Sequence, residues 1–210
     1  MNLEQLSQYV TAGSVEKEES AFRKQSLLTI AFAVLLGFLC ATVKGFGPYM
    51  IFAMCLVSLI CVVTVFKISS DIMSVKGCLW ADAIISGSLI FEFSMAEFVC
   101  FTMWKGLTPW VLLVYVPVIL TPVFLCISAH RVLKHESYNP QKTTKGNIGR
   151  IGFWSGIIGM HLGAILFRSV DENTFPLIGL VCAGILNCFV SIGLTSLQKL
   201  YYIKKYKLFE

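Results

Sequence analysis

The chain has 210 residues, of which 56% are hydrophobic and only 14% charged, with a formal net charge of +5 and a mean hydropathy of +0.75. Soluble domains hold about 45–50% apolar residues and about a quarter charged ones, so a water-soluble enzyme or binding domain is excluded. The basic residues lie between apolar blocks rather than in one patch, which also argues against nucleic acid as a partner.

Residues 1–25 read as an amphipathic cytoplasmic leader, because Leu3, Leu6, Tyr9 and Val10 recur at helical spacing ahead of the mixed-charge run Glu16 to Glu19. Residues 26–197 are expected to form one domain of six transmembrane helices, since its apolar blocks have the length that spans hydrocarbon. The expected spans are about 26–43, 49–66, 79–104, 109–129, 151–167 and 177–197. The tail, residues 198–210, is basic and aromatic, as suits a segment at a headgroup surface. The fold class is thus an all-α integral membrane protein, a single bundle with both termini cytoplasmic, and the expected location is the plasma (cytoplasmic) membrane. No cleavable leader is expected, because the first apolar run follows a polar stretch without a small-residue cleavage pattern.

Orientation follows from charge. With six spans and the amino terminus inside, fourteen of the 17 Lys and Arg residues fall on the inner side, and only Lys44, Lys105 and Arg168 fall outside. If the third span did not cross, everything after it would invert and ten of those 17 would lie outside. The third span therefore has to cross, although it carries Asp82, Glu92 and Glu97. An acid at the centre of a membrane helix costs about 2.5–3.5 kcal/mol on insertion scales, so it is expected to face a partner or water. At 100° per residue Asp82, Ser86, Phe93, Glu97 and Cys100 fall within about 60° of one another, and Trp80, Ile84, Phe91, Met95, Phe98 and Thr102 lie opposite, towards lipid. Asp82 belongs near the inner headgroups, Glu92 near the midplane and Glu97 in the outer half.

Depth matching then predicts two polar layers. Glu92, His161 and Asn187 form a ligand or proton site at the midplane, with Glu92 binding, His161 titrating beside it and Asn187 orienting by hydrogen bonds. Glu97 and Arg168 form a structural pair towards the outside. Low dielectric favours a neutral carboxyl, and a neighbouring imidazole can share its proton. The plain alternative is that these groups only hold helices together, as buried polar side chains in membranes frequently do.

Small residues mark packing faces. Ala33, Gly37 and Ala41 in span one and Ser155, Gly159 and Gly163 in span five recur every fourth position, a ridge that admits a close neighbour. Ala183, Gly184, Asn187 and Ser191 repeat the theme in span six. Pro117 and Pro122 predict a bend in span four, a candidate hinge. The eight cysteines form no CxxC pair and read as small apolar packing residues. With no HExxH, phosphate loop or acidic metal motif, we expect no enzyme, no metal and no cofactor.

Six spans, inward termini and the Ala33/Gly37/Ala41 ridge resemble, in layout, the substrate-binding subunits of energy-coupling vitamin transporters, a resemblance that implies transport. The leading expectation is a small membrane transporter or transporter subunit, proton-coupled through a polar site between spans three, five and six. The alternative is a non-catalytic membrane interaction protein, such as a complex subunit, sensor or toxin-immunity factor, whose acids are structural. The expected partners are the lipid bilayer and either a second membrane subunit or another copy of the chain.

Overall fold

The structure, a computed structural model, describes residues 2–12, 19–41, 47–70, 74–135 and 175–209. All regular structure among them is helical. In order come α1 (Leu3–Thr11), α2 (Glu19–Ala41), α3 (Gly47–Ser70) and α4 (Val75–Lys105), then a 3-10 helix (Pro109–Tyr115) that leads into α5 (Val116–Lys134). They are followed by α6 (Phe175–Ser191), a short 3-10 helix (Ile192–Leu194) and α7 (Thr195–Tyr206). The expected fifth span lies outside the described residues, and with it His161, Arg168, Ser155, Gly159 and Gly163. The side chain of Ala41 is likewise outside them.

Four of the described helical stretches are long and apolar enough to cross a membrane: Tyr49–Ile68, Val75–Lys105, Pro109–Lys134 and Pro176–Tyr206. Their surfaces have the polarity of an inside-out protein. Phe52, Leu56, Leu59, Ile60 and Val63 of α3 are exposed, as are Ile119, Leu120, Val123, Phe124 and Ile127 of α5. Contiguous apolar surface on this scale is not left facing water. Tyr49, Trp104 and Trp110 are exposed at helix ends, where rings that are part apolar and part polar suit a membrane–water boundary. The chain is a multi-pass membrane protein.

α4 is the central helix and packs on α2, α3, α6 and α7. Ala33, Met54, Ala96, Val99 and Ala183 meet in one buried cluster, which draws a residue or two from each of α2, α3, α4 and α6. Small side chains let four backbones converge there. Gly37 sets the approach of α2 to α3: a Cβ at this position would lie 3.2 Å from Ile51 Cγ1 and 3.4 Å from Ile51 Cα. The two prolines of the expected bend separate. Pro117 occupies the first turn of α5, where its missing N–H costs no helical hydrogen bond, and Pro122 alone lies inside the helix. Pro117 thus sits where the 3-10 helix passes into α5, within the continuous stretch Pro109–Lys134.

The amino-terminal helix and the tail are better placed than the sequence could show. Asn2 caps α1, its side chain accepting from Glu4 N at 2.9 Å. The stripe Leu6 and Val10 is fully buried against Leu79 of α4, Leu133 of α5, and Tyr202 and Ile203 of α7. Tyr9 donates to Gln198 Oε1 at 3.1 Å, and Lys199 Nζ donates to Ala12 O at 2.7 Å. The amphipathic leader and the basic tail bury their apolar faces on each other. They form a cap over the end of the bundle where α4 begins and α5 finishes. Burying a leucine contributes about 1.5–3 kcal/mol. Leu6→Asp is accordingly expected to undock α1 and raise amide hydrogen exchange in α1 and α7 by at least tenfold, with α4 unchanged. Equal exchange in both proteins would contradict the docking.

Candidate functional site

α4 begins at Ser74, whose hydroxyl accepts from Gly77 N at 3.0 Å, and stops at Gly106, whose φ of 75° is left-handed backbone that glycine adopts without strain. Its 31 residues span about 46 Å at 1.5 Å each, more than the roughly 30 Å hydrocarbon core. Glu92 and Glu97 lie five positions apart, about 7.5 Å along the axis and 140° around it. The two carboxyls consequently face different neighbours. Both are fully buried.

Glu92 faces α2 and α3. Its Oε1 accepts from Ser58 Oγ of α3 at 2.6 Å and from Ser88 Oγ, one turn earlier on α4, at 3.2 Å. Ser58 Oγ also lies 2.9 Å from Met54 O and 3.4 Å from Thr29 O, so its single proton has a choice of acceptors. Ser58, Ser88 and Thr29 are all buried, making this a closed polar core within three apolar helices.

Glu97 faces α6. Asn187 Nδ2 donates to Glu97 Oε1 and to Ser94 Oγ, each at 2.9 Å. Tyr115, at the end of the 3-10 helix before α5, donates to Ser94 O at 3.0 Å. This second polar cluster borders an open, almost wholly apolar cleft of about 410 Å³ between α5 and α6, lined by Val114, Pro117, Thr121, Gly184, Ile185 and Cys188 among others. Gly184 belongs to both: it lines the cleft, and a Cβ on it would lie 3.9 Å from Glu97 Oε1.

Each cluster is incomplete. Glu92 Oε2, Glu97 Oε2 and Asn187 Oδ1 are buried and have no hydrogen-bond partner among the described residues. An unsatisfied polar atom in an apolar interior costs about 1–3 kcal/mol. Asp82 is placed differently. It lies with Gln25, Ser86 and Gly193 along a groove of about 470 Å³ between α2, α4 and the segment joining α6 to α7.

Of the expected site residues, the structure brings Asn187 to Glu97 and not to Glu92. Height matching placed Asn187 level with Glu92, yet azimuth decides the contact, and α6 packs on the Glu97 side of α4. His161 and Arg168, the expected partners of Glu92 and Glu97, are outside the described residues. Ala33 and Gly37 lie at the α2–α3–α4 seam. Sequence reasoning missed Ser58, Ser88, Ser94, Thr29 and Tyr115. The available signal was a hydroxyl interrupting an otherwise apolar run, as Ser58 does between Val57 and Leu59. Among the described residues no three His, Cys, Asp or Glu side chains gather in the manner of a metal site. No protein-family model matches this chain, and no curated protein or solved structure is similar enough to carry an argument.

Proposed function

We propose that the chain is a small six-span transporter, or the membrane subunit of one, with both termini on the cytoplasmic side of the plasma membrane and its interior carboxyls acting as charge-bearing groups. One observation carries this reading: two carboxyls on the central helix are fully buried, receive only neutral donors on one oxygen, and have no partner for the other among the described residues. A carboxyl retained only to hold helices together gains most from a complete set of partners or from a cation. An incomplete one is poised to accept a proton or a ligand.

The docking of α1 on α7 supports an even number of crossings, because it brings both ends of the chain to one side of the bundle. The positive-inside count supports that side being cytoplasmic. In this reading Glu92 takes up the proton, with His161 as its titrating partner, and Asn187 orients the second carboxyl, Glu97. Proline at 122 and the 3-10 helix at Pro109–Tyr115 leave the α5 side of the cleft less regular than the rest.

The test needs no substrate. Proteoliposomes adsorbed on a solid-supported membrane and subjected to a pH jump are expected to give a transient current as protons reach the interior carboxyls. Glu92→Gln and Glu97→Gln should each reduce the charge moved, by about half, and the double variant should abolish it. A flat trace from folded wild-type protein would reject the transport reading in favour of an interaction protein with structural acids.

A further inference from the structure

Both donor hydrogens of the Asn187 amide are spent, one on Ser94 Oγ and one on Glu97 Oε1. What remains of that side chain is its acceptor Oδ1. Glu97 keeps Oε2, and both atoms are buried without a partner among the described residues. The neighbouring Tyr115 hydroxyl already donates to Ser94 O. Two acceptors, one of them on a carboxyl, call for a group that brings several N–H hydrogens and positive charge. A hard metal cation would want six or more oxygens, which this apolar surrounding does not supply.

Gly184 gives the approach. A Cβ on it would lie 3.9 Å from Glu97 Oε1, so Gly184 is where the lining of the α5–α6 cleft comes within van der Waals reach of the carboxyl. The cleft, at about 410 Å³, has the volume of a small-ligand site, and its walls suit a hydrocarbon body.

We propose that Glu97 and Asn187 form a binding site for an organic ammonium ion with an apolar body, which reaches them through the α5–α6 cleft past Gly184. The ammonium donates to Glu97 Oε2 and Asn187 Oδ1 while the hydrocarbon lies along Val114 and Ile185. The proposal rests on the transport reading, for which it names the substrate class.

The probe is n-octylammonium, with n-octanol as its uncharged counterpart, and the readout is the shift in Tm of the purified full chain in detergent. Octylammonium is expected to raise Tm saturably at concentrations at least tenfold below those at which octanol acts. Glu97→Gln should weaken that effect tenfold or more. Asn187→Leu, which removes the acceptor Oδ1 and leaves the Glu97 carboxyl in place, should also weaken it, and this variant decides the matter if Glu97→Gln fails to fold. Gly184→Leu, whose Cβ would lie 3.9 Å from Glu97 Oε1, should block octylammonium. Equal action of octylammonium and octanol, or an octylammonium effect unchanged in Glu97→Gln, would overturn the site. With the pH-jump current intact, that result rejects the ammonium site alone. Octylammonium preference in a protein that gives no current would support the site and reject transport.

Discussion

Removing the Glu92 carboxyl outright, by Glu92→Leu, is expected to cost the folded protein less than removing one of its donors by Ser58→Ala. In the leucine variant the Ser58 hydroxyl keeps an acceptor, because Met54 O lies 2.9 Å from Ser58 Oγ. The half-satisfied acid is replaced by a hydrocarbon of similar size, and exchanging a buried ionisable group for a well-packed apolar one is often neutral or stabilising by about 1–4 kcal/mol. In Ser58→Ala the carboxyl stays buried and loses its 2.6 Å hydrogen bond, a loss of about 1–3 kcal/mol. Thermal unfolding in detergent should rank the proteins Glu92→Leu at or above wild type and Ser58→Ala below it. The pH-jump current should fall in Glu92→Leu despite its stability. Loss of Glu92→Leu from the membrane would mean that the acid is needed for packing, and proton uptake through it would then be the wrong account.

The second large effect is expected at Gly193, in the 3-10 segment between α6 and α7. A Cβ there would overlap the Ser86 hydroxyl, lie 2.8 Å from Ser86 Cβ and reach to 3.7 Å from Asp82 O. A hydroxyl can rotate away, but a Cβ moves only with its backbone, so α4 and the segment must separate. Overpacking of this kind costs about 1–3 kcal/mol for a single carbon and more for a large side chain. Gly193→Ala should lower Tm measurably, and Gly193→Leu should abolish folded protein. The compensating change Ser86→Gly is expected to return most of the loss in the Gly193→Ala background, a coupling that independent sites would not show. Full stability of Gly193→Ala by itself would mean that the close approach is absent.

Both effects concern residues whose neighbours the sequence could not name. Gly193 reads as one small residue among many in an apolar block, and only the contact with Ser86 distinguishes it. Ser58 reads as a tolerated hydroxyl, and only Glu92 Oε1 gives it a role. Along one helix, spacing gives height and angle, so the inward turn of Glu92 and Glu97 was legible at 100° per residue. Across helices, height is legible from counting but azimuth is not. Asn187 shows the difference: its depth was compatible with Glu92, and the packing of α6 delivered it to Glu97.

The ends of the bundle carry the same lesson in a different form. Amphipathic spacing identified α1, and the basic, aromatic tail was read as a headgroup segment. A stripe such as Leu6 and Val10 can be buried equally by lipid or by another helix, because hydrophobic burial is not directional. The tertiary structure chose the helix, with Tyr202 and Ile203 completing the cluster.

Hydropathy and block length act locally and add along the chain, so the helical, membrane-suited character of this protein and its long apolar helix with three acids were legible before any fold. The helical period alone also sets the angle between Glu92 and Glu97, both of which are buried. Which groups the acids meet came from the fold: Ser58 and Ser88 for Glu92, Asn187 for Glu97, with Gly184 of the α5–α6 cleft close to the latter. Those contacts depend on how helices rotate against one another, and that rotation is set by the packing of small side chains at Ala33, Gly37, Ala96, Ala183 and Gly193 rather than by any pattern within a single span.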